Sequence, residues 1–235
     1  MRADMPISQL RSLWKEAFGD TDAFLDTFLK TAFSPDRFLC ISIEGKVAAA
    51  LYWFDCRCDG APMAYIYAVA TAKAHRGKGL CRALMADTHA HLKSLGYAGC
   101  ILVPGEKSLF DMYEKLGYAC FGGMDTLTCE AGTPVSLREV SPEEYTALRR
   151  KYLPERGTEQ EGIAFLASFT KLYAGEDFLC AWAAELLGNT AAAPGIVAAL
   201  GKKEGSFRIS GKQPFAMYHP LSDTPAPTYF GLAFD

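Results

Sequence analysis

The segment RFLCISIEGKVAAALYWFDCRCDGAPMAYIYAVAT, residues 37–71, most restricts what this chain can become. Its apolar runs are rich in aromatic and β-branched residues and are interrupted only at EGK and CDGAP, both turn-forming strings, so it predicts three consecutive antiparallel strands. A three-stranded meander needs something to cover its faces. The flanks supply it: residues 7–31 carry apolar positions at helical spacing (Leu10, Leu13, Trp14, Phe18, then Phe24, Leu25, Phe28, Leu29), broken at Gly19-Asp20, and Leu80, Leu84, Thr88, Leu92 and Leu95 form a second stripe that Gly96 terminates. AGCILVPG reads as a strand buried on both faces, SLFDMYEKLGY as a short helix stopped at Gly117, and YACFGG and DTLTCEAG as two further strands. The order over 38–130 is thus β-β-β-α-β-α-β-β, a mixed α/β (α+β) class with a mostly antiparallel sheet flanked by helices.

A chain of 235 residues has room for two domains. FLDTFLK at 24–30 recurs as FLASFTK at 165–171, and FLC at 38–40 recurs at 178–180, at nearly constant offset and each preceded by an amphipathic helix. These echoes predict a first domain over 1–133 and a degenerate repeat over 134–235. Net charge divides as −1 (14 basic, 15 acidic residues) and −2 (10 basic, 12 acidic), so neither part has the basic excess of a nucleic-acid or anionic-membrane binder. The eight cysteines lie mostly in apolar runs with no C-x-x-C pair, and Cys56 and Cys58 find no second pair of metal-ligand spacing, so no metal is expected. With no signal-peptide core and no run near the roughly 20 apolar residues that span a bilayer, a cytoplasmic protein is expected.

Between the third strand and the following helix lies HRGKGL, residues 75–80. A strand handing over to a helix leaves backbone amides unpaired. Glycines at 77 and 79 would let an anion approach them, with the helix dipole and the charges of Arg76 and Lys78 assisting. The string is neither G-x-x-x-x-G-K-[ST] nor G-x-G-x-x-G, and the strand before it belongs to an antiparallel meander, so P-loop and dinucleotide readings are disfavoured.

Together, YIYAVATAKAHRGKGLCRALM and ILVPGEKSLFDMYEKLGY resemble the acyl-CoA site of the GNAT acetyltransferase superfamily. The family's [QR]-x-x-G-x-[GA] motif aligns with Arg76, Gly77, Lys78, Gly79, Leu80 and Cys81, with Cys in the final place, and its helix tyrosine aligns with Tyr113. The Asn that many members carry seven residues before that Tyr is Glu106 here. The resemblance implies that two central strands splay beyond a bulge and hold the pantetheine of acetyl-CoA. Val69, Ala70 and Thr71 would line that wedge, an N–H of Val69 or Ala70 would polarise the thioester carbonyl, and Tyr113 would protonate the departing thiolate. Tyr65 and Tyr67 share one strand face and are candidates for the border of the acceptor pocket.

The general base is not evident in the motifs. Asp55 and Glu44 are candidates. A third is Asp235: the enhanced-intracellular-survival type of aminoglycoside acetyltransferase, a tandem member of the superfamily, uses its C-terminal carboxylate, and this sequence ends in the apolar PTYFGLAFD. A helix-start thiol at Cys81 could be acidified by the dipole, or could simply fill a small-residue slot. His75, His89, His91 and His219 make no recognisable triad spacing. The predicted activity is transfer of an acetyl group from acetyl-CoA to a small-molecule amine or protein lysine, by a chain capable of homodimerising. The alternative is a non-catalytic acyl-CoA-binding or protein-interaction module.

Overall fold

The computed structural model describes residues 7–234. Helices α1 (Ile7–Phe18) and α2 (Asp22–Thr31) open the chain, divided at Gly19-Asp20 as the sequence predicts. Thr21 caps α2 by accepting from Phe24 N at 3.2 Å. Strands β1 (Phe38–Ile43), β2 (Lys46–Cys58) and β3 (Ala61–Thr71) follow as an antiparallel meander. Gln9 of α1 pins the first hairpin, accepting from Val47 N and donating to Gly45 O. Helix α3 (Leu80–Ser94), β4 (Gly99–Leu102), α4 (Lys107–Glu114) and β5 (Ala119–Glu130) complete the expected order.

Strand β5 is one continuous element where two strands were expected. The strand runs through Gly122 and Gly123, where close backbone approach requires glycine: a Cβ at Gly123 would collide with the Gly211 carbonyl of the neighbouring strand and one at Gly122 with that of Thr228.

The remainder forms β6 (Arg138–Glu139), α5 (Pro142–Tyr152), β7 (Glu159–Gln160), α6 (Ile163–Leu166), β8 (Leu172–Ala174), β9 (Phe178–Ala181), β10 (Glu185–Gly188), α7 (Ala193–Ala199) and β11 (Glu204–Pro220). Here the structure departs from a division at residue 133. Strand β11 lies between β4 and β5, giving the sheet order β1-β2-β3-β4-β11-β5, while β7 pairs with β2. Residues assigned by sequence to the second unit therefore complete the first sheet, and the intervening segment forms a separate four-stranded sheet, β10-β9-β8-β6. A strand supplied from 70 residues downstream leaves no trace in local periodicity, which reports only which faces are apolar.

The central strands of the main sheet are buried on both faces, and β2 shows why. Ala49, Leu51 and Trp53 point into a core shared with Leu84, Met85 and Leu92 of α3, while Ala50, Tyr52 and Phe54 point into one shared with Leu10, Trp14 and Phe28 of α1 and α2. The second core continues into the smaller sheet through Phe165, Leu179 and Tyr145, so the two layers share one apolar interior.

Candidate active site

The site begins with an irregularity in β3. Ala50 pairs with Ala70 but Tyr52 with Tyr67, so Ala68 and Val69 together oppose Leu51, and Ala68 adopts φ +51°. That is a bulge, with a non-glycine residue held in the left-handed region at a cost of about 1–2 kcal/mol. Strand β3 runs parallel to β4 only from Met63–Gly99 to Tyr65–Ile101. Beyond that pair the strands part, and a cavity of about 380 Å³ opens between Ile66–Val69 on one side and Leu102–Val103 on the other. The wedge implied by the family resemblance is present.

Tyr113 enters this cavity from α4. It is 7% exposed, and burial pushes its phenol pKa well above the ordinary value, so the hydroxyl keeps its proton at neutral pH. Of the three strand residues expected in the wedge, Val69 lines the cavity. Ala70 is buried opposite Ala50, and Thr71 ends the strand, where its carbonyl accepts from Arg76 Nε at 3.1 Å.

At the cavity's flank the 76–81 loop leads into α3. Gly77 and Gly79 take φ +73° and +79°, with Gly79 as the N-cap, and a Cβ at either would meet nothing, so conformation rather than crowding requires glycine. Among the described residues, the amides of Gly77, Lys78, Gly79, Leu80 and Cys81 donate to no acceptor. Lys78 Nζ folds back onto Ala74 O at 3.0 Å. Leu80 and Cys81 pack into the core beneath α3, and burial pushes the Cys81 thiol up, which makes it a packing residue and not an acidified nucleophile.

The carboxylates proposed from sequence lie elsewhere. Asp55 is held by Arg37 at 2.7 Å and accepts from Tyr97 OH at 2.6 Å, and Glu44 sits in the exposed β1–β2 turn; neither lines the cavity. Asp235 lies outside the described residues, but Ala233 and Phe234 line the cavity.

This C-terminal segment is tied down at successive points. Tyr67 OH donates to Phe234 O at 3.0 Å, and Tyr65 OH accepts from Phe234 N at 3.5 Å. Gln160 both donates to Leu232 O (2.6 Å) and accepts from Leu232 N (3.2 Å), and Thr158 donates to Tyr229 O from N and from Oγ1. Behind them, Arg149 and Glu185, 3% and 0% exposed, form a two-point ion pair at 2.8 Å, Tyr229 OH donates to Glu185 Oε1, and Arg149 Nη1 donates to Thr158 O. Glu185 holds Arg149 firmly protonated.

Sequence reasoning missed the α1–α2 loop. Phe18, Asp20 and Phe24 line the cavity, and burial raises the Asp20 carboxyl pKa. The signal was a charged residue set between aromatic ones, read only as a helix break. It also missed a histidine pair: His89 and His219 stack with centroids 4.0 Å apart, His89 Nε2 bonds with Tyr118 OH at 2.8 Å, and His219 Nδ1 donates to Gly117 O. Among the described residues, no group of three His, Cys, Asp or Glu could hold a metal ion, and no helix is long and apolar enough to cross a membrane.

Comparison with known proteins places this geometry. Solved structures that share the fold include a GCN5-related N-acetyltransferase from Anabaena variabilis (15% identity, 94% of this chain and 71% of that one, TM-score 0.72), another from Kribbella flavida (18%, 93% and 71%, 0.64) and Eis1 from Mycobacterium abscessus (12%, 91% and 71%, 0.65). No curated protein matches the sequence. A family model described as "Acetyltransferase (GNAT) domain" matches residues 3–121, half of the chain. The chain therefore belongs to the GNAT family and is an acetyltransferase, an enzyme class for which acetyl-CoA is the donor.

Proposed function

We propose that this enzyme transfers an acetyl group from acetyl-CoA directly to a primary amine in the cavity between β3 and β4. The observation that carries the reading is the parting of those strands after Tyr65–Ile101, which leaves an apolar slot with the free amides of 77–81 at its flank and Tyr113 in its lining. In this reading the pyrophosphate of CoA rests on the amides of Gly77 to Cys81 at the start of α3, with Arg76 and Lys78 adding charge. The pantetheine lies along Val69, Ala70 and Thr71, where a backbone N–H of Val69 or Ala70 polarises the thioester carbonyl. The neutral amine attacks that carbon and the C–S bond breaks. Tyr113 delivers its proton to the sulfur, and a carboxylate of Asp235, next to the cavity-lining Phe234, takes the proton of the amine.

The described cysteines are all free, which fits a reducing compartment and a cytoplasmic enzyme. The segment 131–203 lends no residue to the cavity lining but anchors, through Thr158 and Gln160, the C-terminal residues beside those that do.

Calorimetric titration with acetyl-CoA tests the donor site. Gly79→Asp, which puts a branched, negative side chain at φ +79°, should abolish binding. Tyr113→Phe should retain binding while turnover falls by about 10²–10⁴-fold. Wild-type protein that binds no acetyl-CoA, or a Tyr113→Phe variant with full turnover at neutral pH, would remove the donor site or the acid role respectively.

A further inference from the structure

The composition of the cavity narrows its acceptor. Among the described residues that line it, Asp20 is the one carboxylate and there is no Lys, Arg or His. Its other walls on the acceptor side are aromatic: Phe18, Phe24, Tyr65, Tyr67 and Phe234. The two phenol oxygens are already engaged with the Phe234 backbone, which leaves ring surface for a ligand. Asp20 itself has no hydrogen-bond or ion-pair partner among the described residues, although it is half-buried at the end of a loop between two phenylalanines. A half-buried carboxylate without a partner is costly unless a cation arrives, and aromatic faces favour the same cation. A polycation fits poorly, because among the described lining residues Asp20 alone offers a counter-charge and each further ammonium would be desolvated against rings.

Size points the same way. At about 380 Å³ the cavity stands at the small end of ligand pockets, and the acetyl end of the donor shares it.

We infer that the acceptor is a small primary monoamine with an apolar or aromatic body, its ammonium paired with Asp20 and its body laid against the Phe24, Tyr65 and Phe234 rings. This rests on the acetyl-transfer reading for its chemistry but not for its binding. On arrival the ammonium pairs with Asp20; loss of one proton to solvent gives the neutral amine that attacks, and its second proton goes to the base as the amide forms.

The test uses the intact protein and three probes, 2-phenylethylamine, hexylamine and spermidine. Each is titrated calorimetrically without donor, then offered with acetyl-CoA while free CoA thiol is measured. The expected results are that 2-phenylethylamine and hexylamine bind tighter than spermidine, by about tenfold, and that Asp20→Asn weakens monoamine binding and raises its KM by about tenfold or more. In the same variant kcat and acetyl-CoA affinity should stay within about twofold, and Asp20→Glu should restore part of the loss. Thermal unfolding confirms that Asp20→Asn, which breaks no contact, is folded. Tighter binding of spermidine, no binding of either monoamine, or equal monoamine affinity in wild type and Asp20→Asn would overturn the inference. Monoamine binding that depends on Asp20 in a protein that fails to bind acetyl-CoA would support it while sinking the acetyl-transfer reading.

Discussion

Single residues show what a sequence announces and what it hides. Tyr113, Gly77 and Gly79 were legible because motif spacing ties them to a known backbone arrangement, and the structure puts the tyrosine in the cavity and the glycines at positive φ. Asp20 was not, since nothing in a Gly-Asp break says which way the carboxylate faces. The histidines were equally silent: His89 and His219 are 130 positions apart and meet only because β11 passes α3. Burial, with the His219 charge adding to it, lowers the His89 pKa to about 4. The unfolded imidazole titrates near 6.5, so between pH 6.5 and 4 the unfolded chain binds a proton that the native one refuses. The stabilisation tied to the neutral His89 ring is present above pH 6.5 and lost progressively as the pH falls towards 4. After discounting for partial solvent screening, about 1–3 kcal/mol should disappear across that window. Urea unfolding at pH 7 and pH 5 measures it, and His89→Gln should flatten the difference; an unchanged slope would assign the acid sensitivity to other groups.

Elements were read well where their periodicity is local and poorly where a distant partner decides. The helices and the first three strands follow the apolar spacing closely. The bulge at Ala68–Val69 was implied only by the family resemblance, because alanine and valine carry no mark of left-handed backbone. The C-terminal PTYFGLAFD, whose apolar run reads as a strand, is irregular over most of its length, and side chains take the place of a neighbouring strand. Gln160 acts there as a surrogate peptide group, pairing with both polar atoms of Leu232. Replacing it with leucine leaves that buried backbone unpaired, a cost of about 1–3 kcal/mol. If β7 positions the 229–234 segment for catalysis, Gln160→Leu lowers kcat about tenfold, leaves acetyl-CoA affinity within about twofold, and exposes the segment to limited proteolysis. Lower acetyl-CoA affinity with unchanged kcat would assign the segment a structural role alone.

At the scale of the molecule, the echo read in the sequence reappears as packing. Phe24 and Phe28 of α2 correspond to Phe165 and Phe169 at the offset of the repeat, and the rings meet crosswise, Phe24 with Phe169 at 5.1 Å and Phe28 with Phe165 at 5.4 Å. With Phe24 also 5.7 Å from Phe165, these contacts gather the two echoed segments into one aromatic cluster. The division at 133 is a different matter, since β11 crosses it. A fragment of residues 1–133 lacks the strand that joins β4 to β5, leaving two open edges in the middle of its sheet. It should be insoluble or molten by circular dichroism, whereas a soluble, cooperatively unfolding fragment would restore the first domain as an autonomous unit.

The same strand bears on how the protein comes into being. The ribosome delivers a chain from its N-terminus at about 5–20 residues per second. Strands β4 and β5 must therefore wait several seconds for β11 to emerge, and the walls supplied by Ala233 and Phe234 arrive later still. A nascent chain interrupted between residues 82 and 203 has the 76–81 loop but not the strand that joins β4 to β5. Synthesis thus gates activity, and translation errors that shorten the product leave material for proteolysis in place of a partly working enzyme.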